Sequence, residues 1–400
     1  MTALSSLKSR FDRLSPTTKY WLVMFFRVSP LIALIALAIG LGFIPPSSSS
    51  ALLAVQDGST TYTGSCDGSV CSWYGLRYAA APIGNLRFAP PQPPPTPPAT
   101  KRATAKKAMC PQGGSIDLQN EDCLYLNIQR PARVNLATKL PVLVFIHGGG
   151  FESGSGNQNS PAAMIELGAA YGQEAVVVRI NYRLGLFGFL AGTELEAERD
   201  DNANNVGLNR GFQDMGMAMK WVQAHIEAFG GDSTKITIWG QSAGSFGASA
   251  QLLAHADTAP PFQAAILESG SPGGVPIDPV SVKDAQYNRV LMSTNCSSTA
   301  DHLSCLRSVP WKIMRTISLQ ESSRASQAAT LMRGFYAWTG VIDGGPSKGG
   351  FFSSSPSAVI SSGAYAKIPI LQGDCLDEGT YFAPHTFDNT SELSTWLGGV

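Results

Sequence analysis

The chain has 400 residues, 44% of them hydrophobic, which is enough for one large domain or two ordinary ones. Its 29 Lys plus Arg balance 29 Asp plus Glu, so there is no basic face for nucleic acid and no acidic tail. Glycine (41) and proline (26) are plentiful, which suits a loop-rich enzyme better than a helical bundle.

At the amino end, Lys8, Arg10, Arg13 and Lys19 precede the apolar stretch Trp21–Phe26. After Arg27 an uncharged run continues from Val28 to Ile44 and ends in Pro45-Pro46 and four serines. A membrane span needs about 20 apolar residues and a signal-peptide core about 7–15, so this run falls between the two. Basic residues ahead of it predict a cytosolic start and an exported body. Residues 1–20 therefore read as a basic cytosolic-side segment. Residues 21–44 read as a signal-anchor, in preference to a cleaved signal peptide, although Ser49-Ser50-Ala51 offers a cleavage site. Membrane anchoring through 21–44 is the expectation.

The seven cysteines are Cys66, Cys71, Cys110, Cys123, Cys296, Cys305 and Cys375. None shows CxxC spacing with histidines, which argues against zinc. Three local pairs and one leftover imply an oxidising compartment. Two sequons, Asn295-Cys-Ser and Asn389-Thr-Ser, fit an exported, glycosylated chain.

Gln56 to Pro98 reads as turn-rich and polar, with Cys66 and Cys71 close enough to pair across a small loop. Its proline-dense end, Phe88 to Pro98, is stiff and extended. It reads as a surface strap wrapping the core, in preference to a ligand for a polyproline-binding domain. Leu124–Ile128, Leu140–Ile146 and Ala175–Ile180 read as strands, with helical material between the last two at Ala162–Tyr171. Gly211–Phe229 reads as a helix, because Phe212, Met215, Met219, Val222 and Ile226 recur at three and four residues. Ile236–Ile238 is a short buried strand, Phe246–Leu253 is helix-permissive, and Phe262–Leu267 and Ile368–Leu371 complete the strands. Strands alternating with helices call for a mostly parallel sheet covered on both faces.

Gly240-Gln241-Ser242-Ala243-Gly244 lies between that short strand and that helix. Small residues let the chain turn sharply, which is the setting a G-x-S-x-G serine needs to stand exposed as a nucleophile. A serine between glycines is otherwise only a turn. His147-Gly-Gly-Gly-Phe151 also follows a strand end, where bare glycines offer backbone N–H groups to a developing oxyanion. Gly149 and Gly150 would donate, joined by the Ala243 N–H. No metal and no cofactor are implied, and the substrate would be a small-molecule ester.

These motifs resemble those of the type-B carboxylesterases, α/β-hydrolases that include cholinesterases and fungal lipases. Gly75–Ala79, Leu86–Pro91, Glu121–Asn127, His147–Phe151, Asn181–Arg183, Phe229–Asp232, Gly240–Gly244 and Glu268–Ser271 all occur in family order. The resemblance implies an α/β-hydrolase fold over residues 52–400, with a mostly parallel central sheet, helices on both faces and the family's C-terminal part lacking. It implies disulfides Cys110–Cys123 and Cys296–Cys305, and a structural pairing of Glu121 with Arg183. It places the triad acid in Asp377-Glu378-Gly379, where Glu378 would orient the base. Cys375 reads as a small buried filler, or as the partner of a segment outside the chain.

The chain also departs from the family. The family's histidine lies far downstream of the acid, whereas here only His385 follows it, too close to match a separate loop. His147 belongs to the glycine motif, His225 to a helix, and His255 and His302 to polar stretches. Either the sequence is a truncated form of an esterase, leaving apolar sheet surface uncovered, or the protein is a non-catalytic relative used for binding or adhesion. Twelve residues, none aromatic, separate Cys110 from Cys123. In cholinesterases and fungal lipases that loop is longer and carries a choline-site Trp or a lid. Gln241 replaces the acidic residue found before the cholinesterase serine. Together these point to a small neutral ester.

Overall fold

The computed structural model describes residues 51–200, 207–255, 258–328, 337–378, 389–392 and 394. The expected segments 1–20 and 21–44, and His385, lie outside the described residues. Among the described residues, no helix is long and apolar enough to cross a membrane.

In chain order the strands are β1 (Ala51–Asp57), β2 (Thr60–Asp67), β3 (Val70–Arg77), β4 (Thr100–Arg102), β5 (Tyr125–Pro131), β6 (Leu140–Ile146), β7 (Val176–Ile180), β8 (Gly231–Gln241), β9 (Ala264–Glu268), β10 (Asp278–Pro279), β11 (Val341–Ile342) and β12 (Ile370–Gly373). The main sheet runs β1-β2-β3-β5-β7-β6-β8-β9-β12, with β4 on β2. From β7 to β12 every pairing is parallel, whereas β1, β2, β3, β5 and β7 pair antiparallel along the other flank.

That flank corrects the reading of 56–98 as turns. Asp57-Gly-Ser-Thr60 and Asp67-Gly-Ser-Val70 are two-residue hairpin loops, and Gly58 and Gly68 take positive φ of 54° and 59° as such loops require. Pro90 to Ala99, outside any element, is the expected surface strap and leads into β4.

The parallel half is built from buried β-branched residues. Val142, Val144 and Ile146 of β6, and Ile236 and Ile238 of β8, face the helices Arg210–His225 and Ala243–Ala254. Phe212, Met215, Met219, Val222 and Ile226 are all buried, so the three-and-four spacing did mark the core face. Each such side chain taken from water contributes about 1.5–3 kcal/mol. Helix Ala162–Ala170 covers the opposite face, where Ile165 packs on Val70 and Val177. The edge strand β12 is exposed, with Ile370 at 45% and Leu371 at 67%.

Candidate active site

β8 ends in the sharp corner that the sequence suggests. Ser242 has φ 54° and ψ −125°, a strained conformation for a residue with a side chain. Its N–H donates to the Glu268 carbonyl at 2.8 Å, and its own carbonyl accepts from the Phe246 N–H at 3.0 Å, which opens the helix Ala243–Ala254. The flanking glycines are sterically required. A Cβ on Gly240 would lie 2.1 Å from the Gly244 oxygen, and one on Gly244 would lie 2.0 Å from the Ile146 oxygen. Ser242 is half-buried.

β6 pairs with β8 up to Ile146 opposite Gly240, so the glycine turn after β6 meets the corner after β8. A Cβ on Gly148 would sit 2.7 Å from the Gln241 oxygen and 3.1 Å from Ser242 Cβ. Gly149 and Gly150 hold φ of 105° and 63°. The Gly149 carbonyl accepts from the N–H groups of Glu152 (3.0 Å) and Ser153 (2.9 Å), which closes the turn on itself. Ala243 is the first residue of its helix, where N–H groups have no partner within the helix.

Sheet register also brings the candidate acid, Glu378, to this edge. Gln241 pairs with Glu268, and Glu268 with Gly373, so Ser242, Ser269 and the segment carrying Glu378 emerge side by side. Ser269, also at positive φ (54°), has its hydroxyl beside the Glu378 carboxylate, and the Cys375 N–H donates to Glu378 Oε1 at 2.8 Å. The Ser269 hydroxyl foremost, and then the Cys375 N–H, hold the carboxyl below its usual range. Ser269 was read from the sequence only as part of a family motif. Its contact with the acid comes from pairing of β9 with β12, which no local signal reveals.

The histidines are occupied elsewhere. His147 is buried, stacks on Tyr182 at 4.4 Å, and has Nδ1 2.8 Å from the Gly148 oxygen. Burial drives its pKa down to about 4, so the ring stays neutral and works as a packed wall behind the glycine turn. His225 bonds Asp57 at 2.9 Å, His255 faces Thr258 Oγ1 at 3.0 Å, and His302 bonds Glu194 at 2.8 Å. Among the described residues, none of these four hydrogen-bonds Ser242 or Glu378.

The disulfides Cys66–Cys71, Cys110–Cys123 and Cys296–Cys305 are all formed. Cys375 is free and exposed, which overturns the buried-filler reading; it lies in the turn beyond the uncovered edge strand β12. The pairing of Glu121 with Arg183 is also corrected. Glu121 takes a bidentate bond from Arg87, Nε–Oε1 2.5 Å and Nη2–Oε2 2.7 Å. Arg183 instead turns to Asp214 on helix Arg210–His225, which takes its Nε at 2.8 Å and Nη2 at 2.7 Å. Each buried charge thus finds a partner on the element nearest it, and no cross-pair is needed. Asn295 and Asn389 are both exposed.

The short disulfide loop is fastened on three sides. Gln119 Nε2 donates to the carbonyls of Gly113 and Ser115 at 3.0 Å each. Arg315, from helix Trp311–Ala328, donates to the Gln112 carbonyl at 2.6 Å and the Gly114 carbonyl at 2.8 Å. Gln112 in turn bonds Gly154, beyond the glycine turn.

A profile described as the carboxylesterase family matches residues 56–397. The chain is 32% identical to secreted lipase 1 of Botryotinia fuckeliana over 378 residues, covering 86% of this chain and 63% of that protein. The solved structure of Aspergillus niger EstA superposes with a TM-score of 0.74 at 30% identity, over 87% of this chain and 65% of that one. A PNB esterase structure matches with a TM-score of 0.70 at 31% identity, over 86% and 68%. The chain thus spans less than two thirds of the length of that lipase. With the corner, the glycine turn and the parallel sheet beneath them, this match places the chain in the carboxylesterase family of α/β-hydrolases.

Proposed function

We propose that the protein is a serine ester hydrolase in which Ser242 Oγ attacks a carbonyl carbon and is acylated, with release of the alcohol. The N–H groups of Gly149, Gly150 and Ala243 hold the oxyanion, and Glu378, oriented by Ser269, is the acid that would steady an imidazole. The observation that carries this reading is the strained backbone at Ser242, wedged between glycines that tolerate no side chain. A protein used only for adhesion has no need of that strain, which costs about 1–3 kcal/mol.

The substrate we infer is a small neutral ester. A lid must move, whereas the loop between Cys110 and Cys123 is tied to Arg315 and to Gly154. Relatives named as secreted lipases occur in Botryotinia fuckeliana and Gibberella zeae, and an exported, glycosylated domain fits the disulfides and the exposed Asn295 and Asn389.

None of the four described histidines hydrogen-bonds Ser242 or Glu378, and without an imidazole at Ser242 acylation is expected to be about 10⁴–10⁶-fold slower than with a complete triad. The test is the rate of fluorophosphonate labelling with and without added imidazole. Labelling that is lost in Ser242→Ala and accelerated by imidazole supports the reading. Imidazole-independent fast labelling would assign the base role to His385, and labelling that survives Ser242→Ala would overturn the assignment of the nucleophile.

A further inference from the structure

The far end of the sheet carries a cavity remote from Ser242. β8 runs from Gly231 to Gln241, so its start lies roughly 30 Å from Ser242. Helix Arg210–His225 ends beside that start. There, a cavity of about 440 Å³ opens between the helix end, β2 and β4, and the strap 94–98. This volume falls within the range of small-molecule sites.

Strand register explains its lining. β2 and β4 run parallel with Tyr62 directly beside Lys101, which sets both side chains on one face. The Tyr62 ring is held from behind by Phe229 at 5.9 Å. Trp221 stacks on His225 at 4.6 Å, and His225 Nδ1 lies 2.9 Å from Asp57 Oδ2. The proline strap forms the remaining wall and feeds straight into β4.

The charged groups lining the cavity are Asp57, Arg77 and Lys101, with the His225 ring against Asp57. Arg77 gives both terminal nitrogens to Asp122 at 2.7 Å each, and His225 faces Asp57. The Lys101 side chain is half-buried, and its ammonium makes no hydrogen bond or ion pair among the described residues. Burial, followed by the neighbouring Arg77 and Lys107, lowers its pKa against an opposing pull from Asp122, so a carboxylate brought directly to the ammonium favours its charged form. A carboxylate would give that ammonium a direct partner, whereas a dianion would bring excess charge next to Asp57. Two aromatic rings and a proline wall suit a flat apolar body.

We propose that this cavity binds a small aromatic monocarboxylate, its carboxylate on the Lys101 ammonium and its ring against Trp221, Tyr62 and the proline strap. The test uses benzoate, the neutral control benzamide, and the photoreactive 4-benzoylbenzoate on the full chain. Calorimetric titration should show saturable benzoate binding that weakens about tenfold or more in Lys101→Met, with thermal unfolding unchanged. Ser242→Ala should bind benzoate as tightly as the parent, which separates this cavity from product binding at the hydrolytic site. Irradiation with 4-benzoylbenzoate should mark peptides containing 94–101 or 221–225, with protection by benzoate and not by benzamide. The crosslinking arm stands on the parent protein, so it decides the matter even if Lys101→Met folds poorly. Equal affinity in a folded Lys101→Met, benzamide binding as tight as benzoate, absence of saturation, or adducts confined to the peptides around Ser242 would each overturn the proposal.

Discussion

Gln112 and Gly154 exchange two hydrogen bonds: the Gly154 N–H donates to Gln112 Oε1 at 2.8 Å, and Gln112 Nε2 donates to the Gly154 carbonyl at 2.7 Å. Gly154 sits at φ 106°, where a Cβ would lie 2.2 Å from His147 Nδ1. The disulfide loop is therefore braced through Gly154 against the histidine behind the glycine turn. Gln112→Leu leaves a part-buried N–H and carbonyl without these partners, at a cost of about 1 kcal/mol. Urea unfolding measures that loss, and hydrogen exchange should speed up at Gly154 first. An unchanged midpoint would mean that the brace contributes nothing.

The corner at Ser242 predicts an asymmetry among glycines. Gly244→Ala would force a Cβ to 2.0 Å from the Ile146 oxygen and 2.8 Å from the His147 oxygen. Neither backbone can yield without opening the pairing of β6 with β8. We expect a loss of about 3 kcal/mol or more and no fluorophosphonate labelling. Gly113→Ala in the disulfide loop is the control, because a Cβ there meets nothing within 4 Å. Thermal unfolding and labelling of the two variants should diverge sharply.

Arg183 and Asp214 form a pair in which the side chains are 3% and 0% exposed. Arg183→Met strands a buried carboxylate and should cost about 3–5 kcal/mol. Removing both charges in Arg183→Met/Asp214→Leu should recover most of that loss, because the apolar pair has no uncompensated charge. Denaturant titration of the two single variants and the double variant gives the coupling. A double variant as unstable as Arg183→Met would assign the cost to the other bonds the pair makes, Arg183 Nη1 to the Ala89 carbonyl at 2.8 Å and the residue 183 N–H to Asp214 Oδ2 at 3.0 Å.

The parallel half of the sheet was legible because its strands are short runs of β-branched residues, each followed by a helix with periodic apolar positions. The corner at Ser242 and the turn at Gly149 were legible for a different reason. Small residues there are demanded by backbone crowding, and that demand is visible in the one-dimensional string. The antiparallel flank was missed, although Asp57-Gly-Ser and Asp67-Gly-Ser are both hairpin signals, because β1 and β2 alternate polar and apolar residues too weakly to read as strands. Long-range charge pairing was not legible at all. Whether Glu121 meets Arg87 or Arg183 depends on how two loops pack, and chain order says nothing of that. The same holds for Ser269 and Glu378, joined only when β12 pairs with β9.

His147 makes stability depend on pH in a defined direction. Burial against Tyr182 lowers its pKa to about 4, whereas an unfolded histidine titrates near 6.5. Between those values the unfolded chain binds a proton that the folded chain refuses, so stability falls as pH falls through that window. The contribution is complete above about pH 6.5 and is progressively lost as pH approaches 4. A gap of this size corresponds to about 2–3 kcal/mol between pH 7 and 4.5. His147→Asn removes the titrating ring, and the slope of unfolding free energy against pH in that interval should flatten by that amount relative to the parent. Carboxylates such as Glu378 titrate in both proteins and cancel in the difference. An identical slope in parent and variant would show that the His147 ring accepts its proton without leaving the stack on Tyr182.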